Sequence, residues 1–165
     1  MRTNAVDIKI KVDVLIMDGE KILLIKERGQ KQDKYRWNII KGTYGDIPRE
    51  DIFETAIREC KEEVSVDIKV LYALGVYIPR NNNKIRIHFG FVGRIIQGVP
   101  VLAGKKEQKY RNEDIIEAKW FSKQELKMMK KNEFLNKESF FIIQDWINGV
   151  QYPLSIFRKF NFQLI

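Results

Sequence analysis

Apolar and polar residues alternate over residues 8–17 and cluster again over 22–26, on either side of Asp18-Gly19-Glu20. Alternation with period two, broken by a short Asp/Gly turn, predicts two antiparallel strands joined as a hairpin. Residues 35–40 predict another short strand, which runs into Lys41-Gly42-Thr43-Tyr44-Gly45-Asp46. The two glycines of that loop permit a tight backbone path, and the loop is expected to lead into a helix. Asp51 followed by Glu54 has the spacing of a capping box, and Ile52, Phe53, Ala56, Ile57, Cys60 and Val64 recur at helical spacing. A helix is therefore expected from Asp51 to about Val64. Residues 66–77 and 84–92 are rich in β-branched and aromatic side chains and are separated by the polar turn Arg80-Asn81-Asn82-Asn83, which predicts a further hairpin. Residues 115–121 add one more strand. Ser122 with Glu125 predicts a second capped helix through about Lys130. A third helix is expected to be capped by Asn136 and Glu138, to bury Phe140, Ile143 and Ile147 on one face, and to end at Gly149 and Pro153. The tail alternates Phe160, Phe162, Leu164, the pattern of an edge strand or a partner-binding segment.

With 165 residues the chain has room for about one domain. Residues 1–165 are read as a single domain with its core in about 8–130 and the C-terminal helix and tail, 131–165, packed upon it. A 44% hydrophobic and 32% charged composition supports a packed core and excludes disordered, collagen-like and disulfide-scaffold classes. The single cysteine allows neither an intrachain disulfide nor a thiolate zinc site, so a reducing, cytoplasmic setting is expected. The N-terminal stretch alternates instead of presenting an apolar run, which argues against a signal peptide, and no segment reads as membrane-spanning. A net charge of +8 favours polyanionic partners such as nucleotides, nucleic acid or acidic surfaces without choosing among them.

On a helical wheel of about 100° per residue, Glu59, Glu62 and Glu63 share one arc of about 100°, at the border of the apolar stripe. Like charges four residues apart cost a few tenths of a kcal/mol, so something positive should offset this ridge. Arg58 and Lys61 can take a share, and a hard divalent cation binding several carboxylate oxygens would take more. A solvated acidic face is the plain alternative for these glutamates taken alone.

They are not alone. Glu50, seven residues, then Arg58-Glu59-Cys60-Lys61-Glu62-Glu63-Val64-Ser65-Val66 resembles the Nudix box, G-x5-E-x7-R-E-U-x-E-E-x-G-U with U a bulky apolar residue, and five charged positions stand in register. Two positions depart. Gly42 and Gly45 stand seven and four residues before Glu50 instead of five, which reads as an insertion in the loop, and Ser65 replaces the late glycine. The resemblance covers residues 42–66 closely and about 8–130 loosely. It implies an α/β fold, a Nudix-like α/β/α sandwich with a mixed central sheet, and a magnesium-dependent hydrolase cleaving the diphosphate bond of a nucleoside diphosphate linked to another moiety. It further implies Mg²⁺, or alternatively Mn²⁺, held by Glu59, Glu62 and Glu63 with the carbonyl of Gly42, or of Gly45. Arg58 and Glu50 would hold the geometry through an ion pair. The proton acceptor is Glu59 or Glu63 within the box, or an acid of a later loop, Glu113 or Asp114. Lys41, Tyr44, Tyr77 and Glu113 are the candidates for substrate contact.

Other signals carry less. Gly98 to Lys105 has the wrong spacing for a phosphate-binding Walker loop and lacks the following Ser or Thr. His88, the only histidine, reads as structural, and Cys60 as a buried, unreactive thiol. Lys105, Lys106, Lys109 and Arg111, and later Lys123, Lys127, Lys130 and Lys131, read as solvated faces before they read as a nucleic-acid surface. Tyr35, Trp37, Tyr72 and Phe91 read as core or cross-strand residues, as do Trp120 and Trp146. The expected partner is a small nucleotide, with no membrane; the assembly is a monomer or a homodimer. Two other functions fit the sequence: a non-catalytic nucleotide- or RNA-binding domain, and an RNA 5′-end pyrophosphohydrolase.

Overall fold

The computed structural model describes residues 7–29, 32–79 and 84–158. Seven strands form one mixed sheet: β1 (Asp7–Asp18), β2 (Lys21–Glu27), β3 (Arg36–Asn38), β4 (Ile40–Thr43), β5 (Asp67–Tyr77), β6 (Lys84–Gln97) and β7 (Ile115–Ser122). The main path runs β3-β2-β1-β6-β5, with β4 beside β1 and β7 beside β2. β1 and β6 are parallel over ten residue pairs, from Asp7 with Lys84 to Ile16 with Gly93, and the other strand-to-strand pairings among the described residues are antiparallel.

The first hairpin forms where the alternation predicts it. The single strand expected over 35–40 is two: Ile39 separates β3, which pairs with β2, from β4, which pairs with β1. β6 runs to Gln97, five residues past the expected end, because β5 offers it a partner as far as Asp67. The turn at 80–83 and the tail at 160–164 lie outside the described residues.

Helix α1 (Ile52–Val64) covers one face of the sheet, over Val12, Val14, Ile16, Leu23, Ile25, Ile40 and Phe91. Its capping box is formed: Asp51 Oδ1 accepts from the backbone N–H groups of Phe53 and Glu54 at 2.8 and 2.9 Å, and Glu54 Oε2 accepts from Asp51 N–H at 2.7 Å. Each such cap contributes about 1 kcal/mol. At the other end Ser65 adopts φ 59°, and its N–H reaches the carbonyl of Lys61.

The opposite face is covered by α3 (Lys123–Met128), whose Ser122/Glu125 capping box also forms, and by α4 (Lys137–Ile147). Leu15, Ile22, Leu24, Leu74 and Val92 of the sheet meet Leu126, Ile142, Ile143 and Trp146 there. Asn136 stands at the N-cap of α4 but accepts no backbone hydrogen bond. The buried face of α4 holds Ser139, Ile142, Ile143 and Trp146, a different set from the Phe140, Ile143 and Ile147 expected. The bulky Trp146 and the hydroxyl of Ser139, which bonds to the buried Asn38, set this rotation. A further short helix, α2 (Lys105–Tyr110), has no counterpart in the sequence expectations. Helices on both faces of a mixed sheet give the expected α/β/α sandwich. Among the described residues no helix is long and apolar enough to cross a membrane.

Candidate active site

Helix α1 does something its apolar pattern alone would not require: it buries carboxylates. Glu59 and Glu63 are only 6% and 5% exposed, inside the stripe and not at its border, while Ile57 points outward. They face a cleft of about 530 Å³ between α1, the β4 edge, the end of β2 and the loop after α2. Gly42 of β4 opposite Val12 of β1 lies against Glu59, and a Cβ at position 42 would occupy the place of that carboxyl group. The glycine is therefore required by close approach. Gly45 has φ 95° and open space around it, so its glycine serves the turn.

Arg58 organises one half of the cleft. Its Nε and Nη2 donate to the two oxygens of Glu50 at 2.9 and 3.1 Å, a bidentate pair, while Nη1 donates to Glu59 Oε1 and, at 3.1 Å, to Glu62 Oε2. Glu50 also accepts from Thr55 Oγ1 at 3.0 Å. Burial works against the charge of Arg58, but the hydrogen bonds and charges of Glu50 and Glu59 prevail and raise its pKa.

The other half has no such hub. Burial pushes the Glu63 carboxyl well above the usual carboxylate range, and the charges of Glu27, Glu59 and Glu113 push the same way against Lys41. Burial also raises Glu59, against the pull of Arg58. Glu63 Oε2 is buried without a hydrogen-bond partner, and so is Glu113 Oε2. Glu113 is held from one side only: Arg111 Nε donates to its Oε1 at 2.9 Å, and Arg111 Nη2 donates to the carbonyl of Glu62 at 2.8 Å. The segment leading into α2 runs along the C-terminal end of α1, where Val101 and Ala103 donate to the carbonyls of Val64 and Glu63. Those are carbonyls that a helix end leaves without partners of its own. Gln108 then fixes the turn: its side chain donates to the carbonyl of Ala103 and accepts from Ile115 N–H, both at 2.8 Å.

These groups suit a hard divalent cation. The donors are carboxylate oxygens, two of them buried and unpartnered, where an unpaired polar atom costs about 1–3 kcal/mol. In this arrangement no three acidic, His or Cys side chains among the described residues form a cation-holding group, and Arg58 Nη1 occupies Glu59 and Glu62. Releasing those two contacts leaves Arg58 on Glu50 by its other two nitrogens.

The sequence-derived candidates divide cleanly. Glu50 anchors Arg58 beside the cleft, and Lys41, Gly42, Arg58, Glu59, Glu62, Glu63 and Glu113 line it. Asp114 does not: it accepts from Arg28 and Tyr35 at 2.7 and 2.9 Å and borders a separate hollow with Lys105 and Lys109. Tyr77 stands apart as well, packed in the core under α4 with its hydroxyl on Asp145 at 2.7 Å. Tyr44 borders an apolar groove with Ile10, Phe53, Phe89 and Phe157, outside the acidic cleft. His88 makes a buried pair with Asp13 at 2.7 Å, and Cys60 is fully buried with its thiol pKa raised by burial. Trp146 is core under α4, and Trp120 is partly buried against the core under α1. Sequence reasoning missed Glu27, Lys11 and Asn136 as cleft residues. For Glu27 a signal existed: it shares the strand parity of Leu23 and Ile25, so a charge stands on the buried face of β2.

The sequence model of the NUDIX domain matches residues 7–141, and the chain belongs to the Nudix family. None of the curated proteins matches it significantly. Among solved structures it is similar to a Nudix hydrolase from Nitrosomonas europaea, with 24% identity, TM-score 0.73 and coverage of 92% of this chain and 97% of that one. It is also similar to a MutT Nudix hydrolase from Burkholderia pseudomallei (15% identity, TM-score 0.66, 84% and 98% covered). An ADP-ribose pyrophosphatase from Streptococcus suis gives 15% identity and TM-score 0.56 over 84% and 90% of the two chains. At these identities the structural likeness speaks for the fold alone.

Proposed function

We propose that the chain is a metal-dependent hydrolase of the cytoplasm that cleaves the diphosphate bond of a small nucleoside diphosphate derivative. The observation that carries this reading is the buried, unpartnered oxygen of Glu63 beside Glu59 in a cleft that also presents basic side chains. A carboxylate kept in such a place is costly unless a cation joins it. Glu59, Glu62 and Glu63, with the Gly42 carbonyl, would hold Mg²⁺, or Mn²⁺ in its stead. Such an ion, when bound, neutralises phosphate charge and acidifies a water molecule.

The remaining steps belong to the chain's own groups. Lys41 and Lys11 stand on neighbouring strands at the β4 edge, and Lys11 Nζ donates to Thr43 Oγ1 at 2.6 Å. They can bind the phosphates as they enter. Arg58 and Glu50 fix the orientation of Glu59, and Arg111 fixes Glu113 by one oxygen, the other being buried without a hydrogen-bond partner. A panel of nucleoside triphosphates, nucleotide sugars and dinucleotides should yield phosphate-containing products only when Mg²⁺ or Mn²⁺ is added. Glu63→Gln should reduce that turnover by about 10³-fold while the protein still folds. Undiminished turnover in the variant would remove the role assigned to Glu63.

A further inference from the structure

Glu27, at the end of β2, lines the cleft beside an irregularity in the sheet. The pairing of β2 with β7 slips between Lys26 and Glu27: Lys26 faces Glu117, but Glu27 faces Ile115. The extra residue, Ile116, belongs to β7, while β2 keeps its register with β3, Glu27 facing Arg36, so Glu27 keeps the strand parity of Leu23 and Ile25. The Glu27 carboxylate accepts a hydrogen bond from Asn38 Nδ2, and Asn38 Oδ1 in turn accepts one from Ser139 Oγ of α4. Asn38 and Ser139 are 0% and 1% exposed, so the relay crosses the core from the C-terminal helix to the cleft. Burying an amide and a hydroxyl costs stability unless their hydrogen bonds are made, and the relay makes them in one orientation.

Apart from Glu63 and the exposed Asp46 on the loop after β4, the other acids at the cleft have charged partners. Glu50, Glu59 and Glu62 share Arg58, and Glu113 is clamped by Arg111. Glu63 is buried deepest, and of the charged groups around it Glu27 acts on it most strongly. Glu27 is in no ion pair among the described residues, because Lys26 turns to Glu117 and Arg28 to Asp114. Asn38 orients Glu27 through a neutral donor, which fixes a carboxylate without taking its charge. Its second oxygen is left to the cleft.

We infer that Glu27 is the proton acceptor for the attacking water, with Asn38 and Ser139 as its positioning residues. The inference rests on the hydrolase reading above. The water oxygen forms the new bond to phosphorus and its proton passes to Glu27 Oε2. The bridging P–O bond breaks, and the bridging oxygen leaves with the bonding electron pair on the departing phosphate. A general base held in this way contributes about 10²–10⁴-fold.

The test compares Glu27→Gln, Ser139→Ala and the double variant, with a thermal melt to verify folding and calorimetric titration of Mn²⁺ in the absence of nucleotide. Glu27→Gln should lower kcat by at least about 100-fold with KM within about threefold, and should bind Mn²⁺ as the unmodified protein does. Ser139→Ala should lower kcat about tenfold at unchanged KM, and should add nothing in the Glu27→Gln background, since both act through one group. Additive losses, or retained kcat in Glu27→Gln, overturn the assignment. So does loss of Mn²⁺ binding in that variant, which would make Glu27 a ligand and not a base. Should Ser139→Ala fail to fold, Glu27→Asp replaces it, drawing the carboxylate back from Asn38, with the same tenfold loss expected. An unmodified protein that turns over no substrate overturns the hydrolase reading itself, whereas turnover that survives Glu27→Gln overturns the role of Glu27 alone.

Discussion

The two helical layers cover the same sheet by different means. Under α4 the sheet meets Ile142, Ile143 and Trp146, and the buried polar groups have partners: Asp13 pairs with His88, and Asn38 bonds to both Ser139 and Glu27. Under α1 the sheet meets Ala56, Cys60 and Val64, but Glu59 and Glu63 share that face and one carboxylate oxygen stays without a partner. One layer is built to hold the fold. The other gives up local stability to keep charged groups ready at the cleft.

The contrast can be broken most severely at Arg58. Replacing it with leucine leaves Glu50 and Glu59 as buried, uncompensated charges, and denaturant unfolding of the metal-free protein should show a loss of about 3–4 kcal/mol. A loss below about 1 kcal/mol would mean that solvent, not Arg58, stabilises those acids.

On the opposite layer, Ile142→Ala opens a cavity in the core beneath α4 and should cost about 3 kcal/mol in the same experiment. Per folded molecule, Mn²⁺ binding should be unchanged. A fall in binding larger than the folded fraction explains would show that the layers are not independent.

The α1 layer should also respond to pH. Burial raises the carboxyls of Glu59 and Glu63 in the folded state, so the folded protein holds protons that the unfolded chain would release. The stability they contribute is complete below the ordinary value of 4.5 and is lost as the pH rises through the raised folded values. The metal-free protein should therefore melt at a lower temperature at about pH 7.5 than at about pH 5, and Glu63→Gln should flatten the slope. Asp7, Asp114 and Glu125 are shifted downwards, so their contribution is lost only as the pH falls into the acid range. A melting temperature that rises over the same interval contradicts the burial of these charges.

The smallest effect concerns the end of α1. Ser65 holds φ 59°, a left-handed conformation that costs a non-glycine residue about 1 kcal/mol. Ser65→Gly should stabilise the protein by up to that amount without altering metal binding. Destabilisation would mean that the serine hydroxyl makes up for the backbone.

Much of this was written in local patterns. The Asp18-Gly19-Glu20 hairpin and both capping boxes depend on residues within a few positions of each other, and they form as the spacing predicts. The box glutamates, Arg58 and Glu50 were legible as a group for the same reason, since one helix and its preceding turn carry them. Contacts made by distant segments were not legible. Tyr77 reads as an aromatic near a cleft until Asp145, 68 residues away, takes its hydroxyl. Asn136 reads as a cap, yet its amide nitrogen is buried on the cleft wall without a partner. Helix α2 has neither an apolar stripe nor a side-chain cap, and its position comes from Gln108 and the carbonyls at the end of α1. Periodicity reports which face an element buries, and it is silent on which polar groups meet there.

The divided grip of Arg58 has a chemical corollary. Because two of its nitrogens stay on Glu50 while the third serves Glu59 and Glu62, the guanidinium can act as a resident counter-ion that yields half its hold to an arriving cation without leaving the cleft wall. A lysine ammonium, with a single nitrogen to offer, would have to choose between the two tasks. An enzyme carrying the exchange Arg58→Lys would be expected either to load metal with a loosened helix or to keep its helix and load metal poorly.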